Sequence, residues 1–148
     1  MTSTNARALY LDTSCLLKLF FREPESARVI ELLSKESQVI VSELARLEAE
    51  TQLRARLRGG LLSKAKHERL ARQLEATLAL DPFSVAPFPI EAFERARILA
   101  HRAKVHCRTL DLLHLAAMDC DGLGRLLTND SAQATVARSW GIVVELPR

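Results

Sequence analysis

The sequence predicts a single α/β domain with a mainly parallel sheet, and three observations lead there. Short apolar runs, Ala8 to Leu11, Gln38 to Val41 and Arg125 to Leu127, read as strands buried on both faces of a sheet. Longer stretches of helical periodicity separate them, giving a βαβαβαβ rhythm with extra helices. Acidic residues follow two of the runs, where ligands bind in open α/β sheets. The 148 residues are enough for one domain with a full hydrophobic core, expected over 1–148.

The first strand ends at Asp12, and Thr13 and Ser14 can cap a short apolar helix from Ser14 to Phe21. Arg22, Glu23 and Pro24 break it, and Pro24 suits the start of the next helix, whose stripe of Ala27, Ile30 and Leu33, with Val29 beside it, runs to about Lys35. The second strand, Gln38 to Val41, leads through Ser42 as cap into a helix from Glu43 to about Arg58. At 3.6 residues per turn Leu44, Leu47, Glu48, Thr51 and Ala55 share a face, expected to lie on the sheet, with Ala49, Leu53 and Leu57 opposite. Gly59 and Gly60 end that helix, and a basic amphipathic helix from Ser63 to Ala79 completes an αα-hairpin.

The third strand, near Phe83 to Phe88, is flanked by Pro82, Pro87 and Pro89 and so belongs at or near the sheet edge. Ile90 to about Lys104 returns to helix, with Ala92, Phe93, Ala96, Leu99, Ala100 and Ala103 expected inside and a Glu91–Arg95 pair outside. From Leu110 to Met118 only Asp111 and His114 are polar, so this helix should be central; a lone His there reads as a hydrogen-bonded core histidine. The fourth strand ends in Thr128-Asn129-Asp130, Ser131 to Trp140 is helical up to Gly141, and Ile142 to Leu146 is the last strand.

Composition narrows the function classes. The +3 net charge and sequence pI near 9.0 lean weakly toward an anionic partner. No run of about 18 apolar residues exists to span a membrane. Three cysteines, Cys15, Cys107 and Cys120, without CxxC spacing, suit reduced thiols in a cytoplasmic protein rather than a disulfide framework.

The chemistry lies in the carboxylates. Capping alone explains Asp12 or Asp111 taken singly. Together, Asp12 and Asp130 would flank one cleft if the first and fourth strands are neighbours, with Glu48 and Asp111 near its walls. Four such groups repel one another, and a divalent cation removes the conflict. Oxygen-only ligation suits Mg²⁺ or Mn²⁺, whereas the Cys and His residues lack a structural-zinc spacing.

LDTS at Leu11 to Ser14, S-x-L-x-R-x-E from Ser42 to Glu48, RTLDLLHLA from Arg108 to Ala116 and LTND from Leu127 to Asp130 resemble the PIN-domain ribonucleases, in particular the VapC-like toxins of toxin–antitoxin pairs. The resemblance covers essentially the whole chain. It implies a five-stranded sheet of order 3-2-1-4-5, a metal-dependent endoribonuclease, a homodimer, and an antitoxin that wraps the toxin and blocks its site. Asp12, Glu48 and Asp111 match the three core acidic positions and Asp130 the more variable fourth; Ser14 and Thr128 match the hydroxyl positions that support the site. Nothing carries over to the hairpin between Arg54 and Leu80.

The implied reaction is metal-assisted hydrolysis of RNA phosphodiesters, with Arg46, Arg54, Arg56 and Arg58, and Lys64 and Lys66, as candidate phosphate contacts. A dehalogenase-like phosphatase would need an acid where Ser14 stands, and a receiver domain needs paired acids after the first strand. A PIN-like binding module without catalysis and a housekeeping RNA-processing nuclease are the other readings. Intact acids at all four positions weigh against the first, and the lack of an appended RNA-binding domain against the second.

Overall fold

A computed structural model describes residues 7–148, so the single-domain expectation for residues 1–6 lies outside the described residues. Five strands, β1 (Leu9–Leu11), β2 (Val39–Ser42), β3 (Phe83–Ala86), β4 (Arg125–Leu127) and β5 (Val143–Glu145), form one sheet in the order β3-β2-β1-β4-β5. All four pairings are parallel, as the resemblance implied. The helices are α1 (Thr13–Leu16), continued by a 3₁₀ turn at Leu17–Leu19, α2 (Ser26–Leu33), α3 (Glu43–Arg58), α4 (Lys64–Leu78), α5 (Ala92–Arg102), α6 (Thr109–Cys120) and α7 (Ser131–Ser139).

The central strands serve two cores because successive side chains point to opposite faces. Leu9, Leu11, Val39, Val41 and Leu127 pack with buried residues of α1 to α4. Ala8, Tyr10, Ile40 and Leu126 pack on the other face with α5, α6 and α7. Between β1 and β4 the chain reverses its direction of travel across the sheet, which opens a crevice at the strands' carboxyl ends. Proline-flanked β3 is an edge strand, as expected.

Three helix faces differ from the sequence reading, that of α2 in having Val29 inside with Leu33 while Ala27 and Ile30 are exposed. In α3 the buried line is Ala45, Ala49 and Leu53, whereas Leu47, Thr51 and Ala55 face solvent and Leu44 is half-buried. In α5, Ala92, Ala96 and Leu99 are inside while Phe93 and Ala100 are exposed. In α3 and α5, alanine lies where the helix meets its neighbours: a small side chain allows close approach, and the larger apolar residues are displaced outward. Arg95 pairs with Asp119 of α6 rather than with Glu91. The cap of α1 is Asp12 itself, with Thr13 and Ser14 in the first turn. Cys15 and Cys107 are buried, their thiols pushed up to about 12 chiefly by burial, and all three cysteines are free.

Candidate active site

Asp12 ends β1 and caps α1, which places its carboxylate in the crevice beside β4. Its Oδ2 accepts hydrogen bonds from the Ser14 amide at 3.2 Å, the Ser14 hydroxyl at 2.6 Å and Thr128 Oγ1 at 3.2 Å. Its Oδ1 accepts from Gln133 Nε2 at 3.4 Å. The same hydroxyls close the crevice: Ser14 Oγ accepts from the Asn129 amide and Thr128 Oγ1 from the Asp130 amide, each at 3.1 Å. Ser14 and Thr128 therefore fix Asp12 and tie the end of β4 to the end of β1. All of these donors are neutral, so the buried carboxylate is held while its charge is left in place.

Glu48 comes from the third helix and meets a chain of side chains from the opposite face of the sheet. Its Oε1 accepts from Thr13 Oγ1 at 2.9 Å and is hydrogen-bonded to His114 Nε2. Nδ1 of the same ring lies 2.6 Å from the Tyr10 hydroxyl. Burial raises the Tyr10 phenol well above its ordinary range, so it remains an O–H donor. The imidazole thus links Tyr10, through Nδ1, to Glu48, through Nε2. His114 is the hydrogen-bonded core histidine expected from its surroundings, with one end at the acidic cleft.

The other two acids share a cation. Asp111, in the first turn of α6, accepts from Arg108 Nε at 2.9 Å, and Asp130 Oδ2 lies 3.3 Å from Arg108 Nη2. Asp130 also caps α7, its Oδ1 accepting from the Gln133 amide at 2.8 Å. Burial raises the Asp111 carboxyl above its usual range and the charges of Asp12 and Asp130 add to this, against the opposing pull of Arg108. Asp12, Ser14, Glu48, Arg108 and Asp111 line one cleft of about 350 Å³.

The basic residues proposed for phosphate contact are not among those lining the cleft, and Arg46 and Arg56 have local partners. Arg46 pairs with Glu50 along α3 at 3.3 Å. Arg56 lies over the Phe21 ring, 3.7 Å from its centroid, and 3.8 Å from Glu23. Arg54 lines a groove between α3 and α4 that lacks the acidic residues of the cleft. Arg108, Thr13, Tyr10 and Gln133 carry no site role in the sequence reading although each touches the site. Arg108 stands in the quoted RTLD motif, and Gln133 is a polar residue in the apolar line of α7, the only local signals available.

The donor set fits a hard divalent cation, being carboxylate oxygens from four segments of which the Asp111 carboxyl is raised by burial and by the charges of Asp12 and Asp130. A guanidinium already neutralises two of them, and Gln133 Oε1, on the amide that bridges Asp12 and the Asp111 carbonyl, is buried with no hydrogen-bond partner among the described residues. As placed, no three Asp, Glu, His or Cys side chains among the described residues are arranged to hold one ion. Glu48 is turned to Thr13 and His114, and Asp111 to Arg108.

The PIN domain family model matches residues 9–139. Over 142 residues the chain is 33% identical to Ribonuclease VapC46 of Mycobacterium tuberculosis, covering 95% of this chain and 98% of the relative. The fold is similar to the crystal structure of M. tuberculosis VapC20, described as a Sarcin-Ricin loop cleaving toxin, with a TM-score of 0.69 and 18% identity over 86% of this chain and 93% of that one. It is also similar to a toxin-antitoxin complex from Klebsiella pneumoniae, with a TM-score of 0.63 and 22% identity over 95% of this chain and 98% of that one.

Proposed function

The chain belongs to the PIN-domain family, and from that premise we propose that it is an endoribonuclease of the VapC kind, the toxin of a toxin–antitoxin pair, acting with Mg²⁺ or Mn²⁺. The observation that carries the reading is the convergence of Asp12, Glu48, Asp111 and Asp130, from four separate segments, at the β1–β4 crevice. The ribonuclease relative and the toxin–antitoxin structural neighbour set the reaction class and the partner class. The chain is read as one PIN domain over 1–148, a cytoplasmic homodimer partnered by its cognate antitoxin, with RNA as substrate.

Asp12, Glu48, Asp111 and Asp130 would hold the metal, and the bound cation would supply an activated water and charge neutralisation at the scissile phosphate. The side chains around them do the positioning. Ser14, Thr128 and Gln133 hold Asp12 without neutralising it. The Tyr10–His114–Thr13 group orients Glu48 from within the core. The carboxylates serve as ligands and as proton acceptor, so no Ser or Cys nucleophile is needed.

The test is cleavage of a mixed RNA pool by purified protein with Mg²⁺, with Mn²⁺ and with chelator, beside Asp12→Asn. Metal-dependent cutting that the substitution removes is the expected result. Equal cutting by both proteins would identify a contaminant. Retention of RNA without cutting by either would replace the nuclease with a binding module.

A further inference from the structure

Among the described residues, Arg108 is the single basic residue lining the acidic cleft. Its guanidinium bridges Asp111 and Asp130 from two helices, at 2.9 and 3.3 Å. Its side chain nevertheless remains 72% exposed, so solvent-facing N–H groups are left over after both contacts are made. The two carboxylates it occupies are candidate metal ligands, and cation and guanidinium cannot hold the same oxygens together. A polyanionic substrate entering this cleft also needs a positive group, and Arg46 and Arg56 are engaged with Glu50, Phe21 and Glu23 outside it.

Resting on the metal-dependent nuclease reading, we propose that Arg108 is an exchangeable counter-ion. In the metal-free protein it neutralises Asp111 and Asp130; when a divalent cation takes those oxygens, the guanidinium swings outward and binds a phosphate of the RNA. Two consequences of opposite sign follow. Arg108 competes with the metal, so removing it strengthens metal binding. It also assists the RNA, so removing it weakens RNA binding, and only in the metal-loaded protein. A residue that merely buttressed the fold would weaken both.

The experiment uses the full chain, Arg108→Gln and Arg108→Lys. Mn²⁺ affinity is read by electron paramagnetic resonance, and binding of a fluorescein-labelled mixed-sequence 20-nucleotide RNA is read by stopped-flow anisotropy before turnover, across a salt series. Arg108→Gln should bind Mn²⁺ about two- to fivefold more tightly, the range of a partly exposed ion pair. With Mn²⁺ present its slope of log K against log salt should be shallower by about 0.7, the loss of one single-strand phosphate contact. Without metal the slopes should coincide. Arg108→Lys, which keeps the charge and loses the two-pronged fork, should retain the slope and still bind Mn²⁺ more tightly than wild type.

Unchanged or weaker Mn²⁺ binding by Arg108→Gln, or a slope change of equal size with and without metal, overturns the exchange while leaving the nuclease reading intact. Failure of the wild type to bind Mn²⁺ in a way that Asp12→Asn abolishes overturns both together.

Discussion

The two halves of the acidic cleft are built on different principles. Asp12 and Glu48 are held by side chains rooted in the core: Ser14, Thr128 and Gln133 on one carboxylate, Thr13 and His114 on the other. Asp111 and Asp130 are held at their outer oxygens by one long, solvent-facing arginine. A network of short, neutral donors that are themselves hydrogen-bonded and packed in the fold fixes geometry. A guanidinium on a flexible stem fixes charge but little position. The contrast separates a permanent wall of the site from one whose neutraliser can be exchanged.

The deepest cut into the fixed half is Asp12→Asn. It should abolish RNA cleavage by more than about 100-fold, exceeding the ~10–100-fold typical of losing an outer partner of a metal ligand. The apo protein should melt no lower than wild type, since Asn caps helices as well as Asp and carries no charge against Asp111. A large fall in melting temperature would make Asp12 a structural cap first.

Next in size is His114→Ala. It removes the buried imidazole that links the Tyr10 hydroxyl to the Glu48 carboxylate. Denaturant melts should show a loss of about 2–4 kcal/mol, combining a cavity with an unpaired buried polar group. Mn²⁺ affinity should fall about tenfold or more. Tyr10→Phe, which removes the hydroxyl alone, should give a smaller loss in the same direction. Unaltered metal affinity in both would dissolve the distinction between the two halves.

The exchangeable half is probed by Asp111→Asn. Its folded carboxyl is raised, chiefly by burial, so the folded protein holds that proton more readily than the unfolded chain. The stabilising contribution is therefore present below the ordinary carboxylate pKa and is lost as pH rises through the raised value. At neutral pH the metal-free Asn variant should melt above wild type, and the gap should close as pH falls through the carboxylate range. A gap that widens on acidification would mean that the pairing with Arg108 outweighs the cost of burial.

The smallest effect belongs to Arg108→Gln in the absence of metal. An ion pair this exposed contributes about 0–1 kcal/mol, and the melt should move by no more than that. A larger loss would place Arg108 among the rigid supports.

Much of this molecule was readable before folding was considered. The two central strands β1 and β2 show as apolar runs, and Asp12 and Ser42 are helix caps set by their immediate neighbours. The faces of α3 and α5 were not readable in the same way. Hydrophobicity ranks leucine and phenylalanine above alanine, so Leu47 and Phe93 draw the predicted stripe, yet Ala49 and Ala96 are the residues that let the helices approach their neighbours. Glu48 lines the cleft with Asp12 and Asp111 although the helix face it shares with Leu47, Thr51 and Ala55 is not the one packed on the core.

By itself the sequence determined the elements, their parallel alternation and the identity of the acids, all matters of composition and local spacing. Only the tertiary structure decided who holds whom. Tyr10 meets His114 across 104 residues and Thr128 meets Asp12 across 116, distances over which no sequence periodicity operates. Closing the sheet brings the ends of β1 and β4 together, and burial then obliges each polar group to find a partner there. Which partner it finds is settled by that geometry, and so is the division of the cleft between carboxylates held by core side chains and carboxylates bridged by Arg108.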